Sequence, residues 1–169
     1  VFFLTISIGY SQAGDGLILY ATDGRSCTAS TLYELDPSDG SVVRTIGSTG
    51  VSGLTGLAEH PTTGVLYAIS TGGQGCTPNL YTLNKDTGAA TLVGPLGESG
   101  GKPDMAFRAD GTLFTYSTSN GYLGTVDLTT GAMTLIGDTG VAAWDQGLTF
   151  DGSGTLIMID GDSVYTVNT

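Results

Sequence analysis

The chain begins with a near-faultless alternation. Phe2, Leu4, Ile6, Ile8 and Tyr10 fall on one side of an extended segment, Thr5, Ser7 and Gly9 fall on the other, and Phe3 is the exception. Period two over nine residues predicts a β-strand half-buried on one face. Short apolar runs of the same kind recur to the end of the chain. They are separated by clusters of Gly, Asp, Asn, Pro and Thr, and no run shows the 3.6-residue period of a helix.

These runs form a repeat. The phrase from Tyr33 to Gly40 (YELDPSDG) returns from Tyr81 to Gly88 (YTLNKDTG) and from Gly124 to Gly131 (GTVDLTTG), and opens again at Tyr165 (YTVNT). Its copies stand 48, 43 and 41 residues apart. Around it lie up to four strand-like pieces per unit. The first piece is 54–59, 104–107 or 147–150, and the second is 17–21, 65–69, 112–116 or 155–159. The third is the phrase itself, and the fourth is 42–47, 90–94 or 133–137. The Gly that closes the phrase suits a tight hairpin turn, because glycine supplies positive φ without steric cost.

Units of about 45 residues with four antiparallel strands each predict an all-β, β-propeller-like fold of about four blades. The single domain 1–169 divides into the strand 1–10 and repeats near 11–53, 54–102, 103–144 and 145–169. The segments LYTLNKDTGAATLVG and HPTTGVLYAIS resemble blades of secreted bacterial propellers of the NHL, YVTN and quinoprotein-like kind. The resemblance runs over nearly the whole chain. It implies architecture and says little about activity, since such folds host many functions.

Three units supply four strands each and the last supplies three, so the last blade is incomplete. The N-terminal strand, with Phe2, Phe3, Leu4, Ile6, Ile8 and Tyr10, either fills the missing place in the last blade of its own chain, stays in the first unit and leaves an open notch, or completes a neighbour's sheet. Its counterpart would be the edge formed by Ser163, Val164, Tyr165, Thr166 and Val167. Strand addition of that kind joins subunits through main-chain hydrogen bonds, and a head-to-tail contact that does not close grows a filament. A signal-peptide remnant is the rival reading of the start, since Ser11, Gln12 and Ala13 space small residues like a cleavage site, but no basic region precedes them.

Charge narrows the partners. Five Lys and Arg against sixteen Asp and Glu give a formal net charge of −11. Phosphate backbones and anionic lipid both need basic surface, so nucleic acid and membrane docking are not expected. No apolar run approaches the length of a membrane span. The two cysteines, Cys27 and Cys76, occupy equivalent loops in adjacent repeats. In a secreted chain they predict one disulfide, with a contribution of about 2–4 kcal/mol.

Candidate chemistry is sparse. His60 is the single histidine and aligns with the turn residues Arg108 and Asp151, so it reads as a turn residue and not as the base of a triad. Asp36, Asp39, Asp127, Asp151, Asp160 and Asp162 also fall mostly in turns. No metal site or cofactor is expected, although Ca²⁺ would find its best segments at Asp36–Asp39 and Asp160–Asp162. The run Gly72–Gly75 lacks the strand-to-helix setting of a phosphate loop. A ligand face is expected where Lys102, Asp104, Trp144 and Asp145 meet the first strand of a unit. The leading expectation is a non-enzyme: a secreted or cell-surface structural protein that assembles with itself into a filament. One alternative is a monomeric propeller that binds a glycan through the Trp144 face. Another is a hydrolase or lyase with an unrecognised acidic site.

Overall fold

The structure, a computed structural model, describes residues 5–9, 17–23, 28–70, 78–97, 101, 104–118, 121–141 and 146–169. Every regular element among them is a strand. In chain order these are β1 (Thr5–Gly9), β2 (Ile18–Thr22), β3 (Ala29–Leu35), β4 (Val42–Ser52), β5 (Leu54–Glu59), β6 (Leu66–Ser70), β7 (Asn79–Leu83) and β8 (Ala90–Pro95). They continue with β9 (Met105–Phe107), β10 (Leu113–Ser117), β11 (Tyr122–Val126), β12 (Met133–Asp138), β13 (Gln146–Phe150), β14 (Leu156–Asp160) and β15 (Ser163–Val167).

The strands form four antiparallel meanders, ordered β1-β2-β3-β4, β5-β6-β7-β8, β9-β10-β11-β12 and β13-β14-β15. The first strands lie side by side, β1 on β5, β5 on β9 and β9 on β13, so the four sheets stand as consecutive blades around an axis. The fourth blade has three strands, as the repeat predicts.

Local chemistry explains the repeated phrase. In each complete blade an Asp or Asn opens the turn between the third and fourth strands. The Asp36 side chain accepts the Ser38 N–H, Asn84 accepts those of Asp86 and Thr87, and Asp127 accepts those of Thr129 and Thr130. The closing Gly40, Gly88 and Gly131 donate back to the carbonyls of Asp36, Asn84 and Asp127 at 2.8 Å, with φ of 74°, 81° and 78°. Side-chain acceptor and left-handed glycine together fix the hairpin.

The core lies between blades. Leu32, Leu54, Leu57, Leu66 and Ala68 fill the first gap, Ile69, Leu80, Met105 and Leu113 the second, and Phe114, Tyr116, Leu123, Leu156 and Met158 the third. The second strands β6 and β10, each with a blade on either side, are buried on both faces for this reason. Leu66 and Ala68 face the blade before, while Tyr67 and Ile69 face the blade after.

A second contact locks the outer strands. Each complete blade has a register shift in the third and fourth strands' pairing, and beside it a glycine stands opposite a buried leucine: Gly47 opposite Leu32, Gly94 opposite Leu80, Gly137 opposite Leu123. A Cβ on Gly47 would collide with the carbonyl of Thr87, and one on Gly94 with the carbonyl of Thr130. β4 and β8 are therefore bare where the Thr-Gly turn of the next blade presses on them. A Cβ on Gly137 would meet nothing within 4 Å. Gly94→Val should destabilise the fold by about 1–3 kcal/mol, the range of overpacked sites, and Gly137→Val should stay within about 0.5 kcal/mol of the parent. Paired denaturant melts of the two variants check this.

Candidate functional site

The first element to place is the N-terminal strand. β1 pairs with β2 from Thr5 opposite Thr22 to Gly9 opposite Ile18, and it is the axial strand of the first blade. Ile6 and Ile8 thus sit in a blade of their own chain, and among the described residues no strand pairs with the outer side of the third strand of the fourth blade. Phe2, Phe3, Leu4 and Tyr10 lie outside the described residues, as do Cys27, Cys76 and the run Gly72–Gly75.

Of the expected ligand face, Asp104 alone is described; Lys102, Trp144 and Asp145 lie outside the described residues. Asp104 stands at the start of β9, near the axis. Its Oδ1 accepts the Met105 N–H at 2.8 Å, its Oδ2 accepts the Leu148 N–H at 2.9 Å, and its carbonyl accepts the Thr115 hydroxyl at 2.8 Å. The carboxyl therefore ties the axial strand of the third blade to that of the fourth. Burial pushes it up to about 7, against the pull of the two N–H donors. A buried carboxyl bonded to two backbone amides is a clamp between blades.

The clamp carries a pH signature. An acid raised in the folded state above its ordinary value near 4 holds its proton longer there than in the unfolded chain. Its contribution is complete below pH 4 and is lost as pH rises toward 7, with a slope of at most about 1.4 kcal/mol per pH unit. Denaturant melts from pH 4 to 8 should show this fall in the parent and a flatter profile in Asp104→Asn.

Asp36, Asp39, Asp127 and Asp151 serve turns, while Asp160 ends β14. Asp36 takes the N–H and hydroxyl of Ser38, and Asp151 takes the N–H groups of Ser153 and Thr155. These bonds hold Asp36, Asp127 and Asp151 below the usual carboxylate range, with hydrogen bonds from Ser38, Thr130 and Ser153 the largest causes in turn. His60 accepts the N–H groups of Thr62 and Thr63 through Nδ1 and packs on Phe107 at 5.0 Å between ring centres. Among the described residues no three His, Cys, Asp or Glu side chains converge on a cation site.

The feature that stands apart is the open end of the fourth blade. Leu32, Leu80 and Leu123 occupy one repeat position, each buried by the following blade; Val164 occupies the same position in β15 and is 69% exposed. Thr22, Ile69 and Tyr116 are likewise buried, while the equivalent Ile159 is 45% exposed. On the other side of β15, toward the third blade, a groove of about 280 Å³ runs past Ile136, Gly137, Val141, Met158, Tyr165 and Val167. Repeat alignment could have found Val164 and Ile159, because they carry core chemistry at core positions.

Comparison with known proteins fits this geometry. No protein-family model matches the chain, and no curated sequence is similar to it. Solved structures do match. A chain of a nidogen/laminin complex superposes with a TM-score of 0.63 at 16% identity, over 86% of this chain and 53% of that one. Virginiamycin B lyase from Staphylococcus aureus gives 0.63 at 16%, over 96% and 51%. The gluconolactonase XC5397 from Xanthomonas campestris gives 0.62 at 18%, over 94% and 55%. The fold is that of a β-propeller. The chain spans about half the length of each of these propellers. The expectation that it is not an enzyme is overturned here, because a lyase and a gluconolactonase are built on this same fold. The lack of a histidine-based triad does not separate enzyme from non-enzyme on a scaffold whose loops supply the chemistry.

Proposed function

We propose that the chain is an interaction module, an arc of propeller blades that joins a second copy of itself through the open face of its fourth blade. One observation carries this reading: Val164 and Ile159 present apolar side chains to solvent at repeat positions that the first three blades bury. Full burial of such a side chain contributes about 1.5–3 kcal/mol. The two ends of the arc differ. In the first blade Ala21 and Leu35, at the positions that face a preceding blade, are 0% and 3% exposed. The exposed apolar positions of the fourth blade have no exposed equivalent at Ala21 and Leu35, which favours a contact between two copies of the same face.

This contact leaves β1 where it is. A fibre grown by donation of β1 would require that strand to leave β2. A propeller of the same fold occurs in a nidogen/laminin complex, so the scaffold is compatible with protein partners. We place the assembly outside the cytoplasm on the strength of the cysteine pair and the acidic composition.

Sedimentation velocity tests the reading. The parent chain should show a monomer–dimer equilibrium. Val164→Asp, and Val164→Asp with Ile159→Asp, should sediment as monomers with unchanged circular dichroism. A parent chain that stays monomeric at high concentration would refute it, as would a dimer that survives both substitutions.

A further inference from the structure

We infer that the third blade binds a polyol through a vicinal diol, held by the Tyr116 phenol, the Asp138 carboxylate and the Val141 carbonyl beside the bare Cα of Gly121. The site lies within one blade, between β10 and the turn that follows β12. It does not rest on the self-association proposed for the fourth blade.

The first blade shows what chemistry belongs at this place. Its turn at the end of β4 is built like the turn after β12. The Gly50 N–H donates to Ser48 Oγ and the Gly140 N–H to Asp138 Oδ1. The Thr49 and Thr139 hydroxyls accept the N–H groups of Val51 and Val141, and donate to the carbonyls of Ser30 at 2.8 Å and Gly121 at 2.9 Å. Ser30 and Gly121 are therefore equivalent, as are Thr22 and Tyr116. In the first blade both side chains are hydroxyls in use: Ser30 Oγ accepts the Leu54 N–H and Thr22 Oγ1 donates to the Leu54 carbonyl. In the third blade Gly121 brings no side chain, and the Tyr116 phenol, in a residue 1% exposed, has no hydrogen-bond partner. A Cβ on Gly121 would have three oxygens as its nearest atoms, Asp138 Oδ1 and the Val141 carbonyl at 3.1 Å and the Tyr116 phenol at 3.6 Å. Where the first blade carries a serine hydroxyl, the third offers a ring of oxygens.

One donor and two acceptors define the ligand. A buried phenol without a partner is costly and calls for an acceptor. An anion would face the Asp138 carboxylate and the Val141 carbonyl oxygen. An ammonium group would leave the phenol proton without an acceptor. A vicinal diol meets all three groups: one hydroxyl accepts from Tyr116 and donates to Val141, and its neighbour donates to Asp138. Approach is from solvent, since Asp138 is exposed and Val141 half-buried. Ser48 and Val51, their equivalents beside a complete blade, have the same exposure, so the opening belongs to the turn itself.

The probe is glycerol, which has adjacent hydroxyls, and the control is 1,3-propanediol, which has the same carbon chain without them. Amide NMR shifts of the full-length chain are followed up to about 1 M of each. Glycerol should move the Gly121 and Val141 amides saturably, with a dissociation constant on the order of 0.1 M for so small a ligand. Binding should weaken about fivefold or more in Tyr116→Phe, which removes one hydrogen bond and no other contact. The melt of Tyr116→Phe should be no lower than that of the parent, because the hydroxyl it deletes has no partner in the free chain. Absence of a saturable shift would overturn the inference, as would an equal response to 1,3-propanediol or unchanged affinity in Tyr116→Phe. A lowered melt of Tyr116→Phe would also overturn it, since the phenol would then be satisfied by water alone. A monomeric parent in sedimentation would defeat the proposed dimer and leave this result standing.

Discussion

Each blade is sealed by the next one, and most of the architecture follows from that dependence. Leu32, Leu80 and Leu123 are buried because another sheet lies over them. A four-stranded meander of five-residue strands has too little core to hold both faces dry alone. The same stacking brings an outer strand against the next turn, which explains glycine at Gly47 and Gly94 and again at Gly88 and Gly131. At the axis it brings β9 beside β13, where the Asp104 carboxyl bridges to the Leu148 amide. In the fourth blade the equivalents of these core positions, Val164 and Ile159, are exposed.

Much of the fold was legible because its signals are local. Asp or Asn followed four residues later by Gly marks each hairpin, and the structure shows both members bonded in that turn. The strand count and the unfinished fourth blade followed from that phrase. The place of the N-terminal strand did not. Alternation from Phe2 to Tyr10 predicts a strand but carries no information about its partner, which only the β1–β2 register decides. The length of β4, which runs on to Ser52, was also missed, because past Gly47 its Ser, Thr and Gly residues read as a loop.

The site was less legible than the fold. Asp104 was singled out as a polar residue before an axial strand, and it does stand there. Its role as a clamp depends on Leu148, 44 residues away, and no spacing along the chain reports that contact. Gly137 reads in sequence as one glycine among 28. Its meaning appears only beside Gly47 and Gly94, whose neighbours show what the position receives. The expectation of a non-enzyme failed for a related reason: it took the lack of a sequence motif as information about a scaffold whose loops, not its strands, carry function.

The central claim is that one repeat position is core in three blades and surface in the fourth. Thiol labelling measures it directly. Single substitutions Leu80→Cys, Leu123→Cys and Val164→Cys are exposed to a maleimide, and modification at each position is followed by peptide mass spectrometry in dilute protein. The account predicts that the thiol at position 164 reacts near the rate of a free cysteine, while those at 80 and 123 react only as fast as the chain unfolds. A thiol at 164 as protected as the other two, in a chain shown to be monomeric, would contradict it.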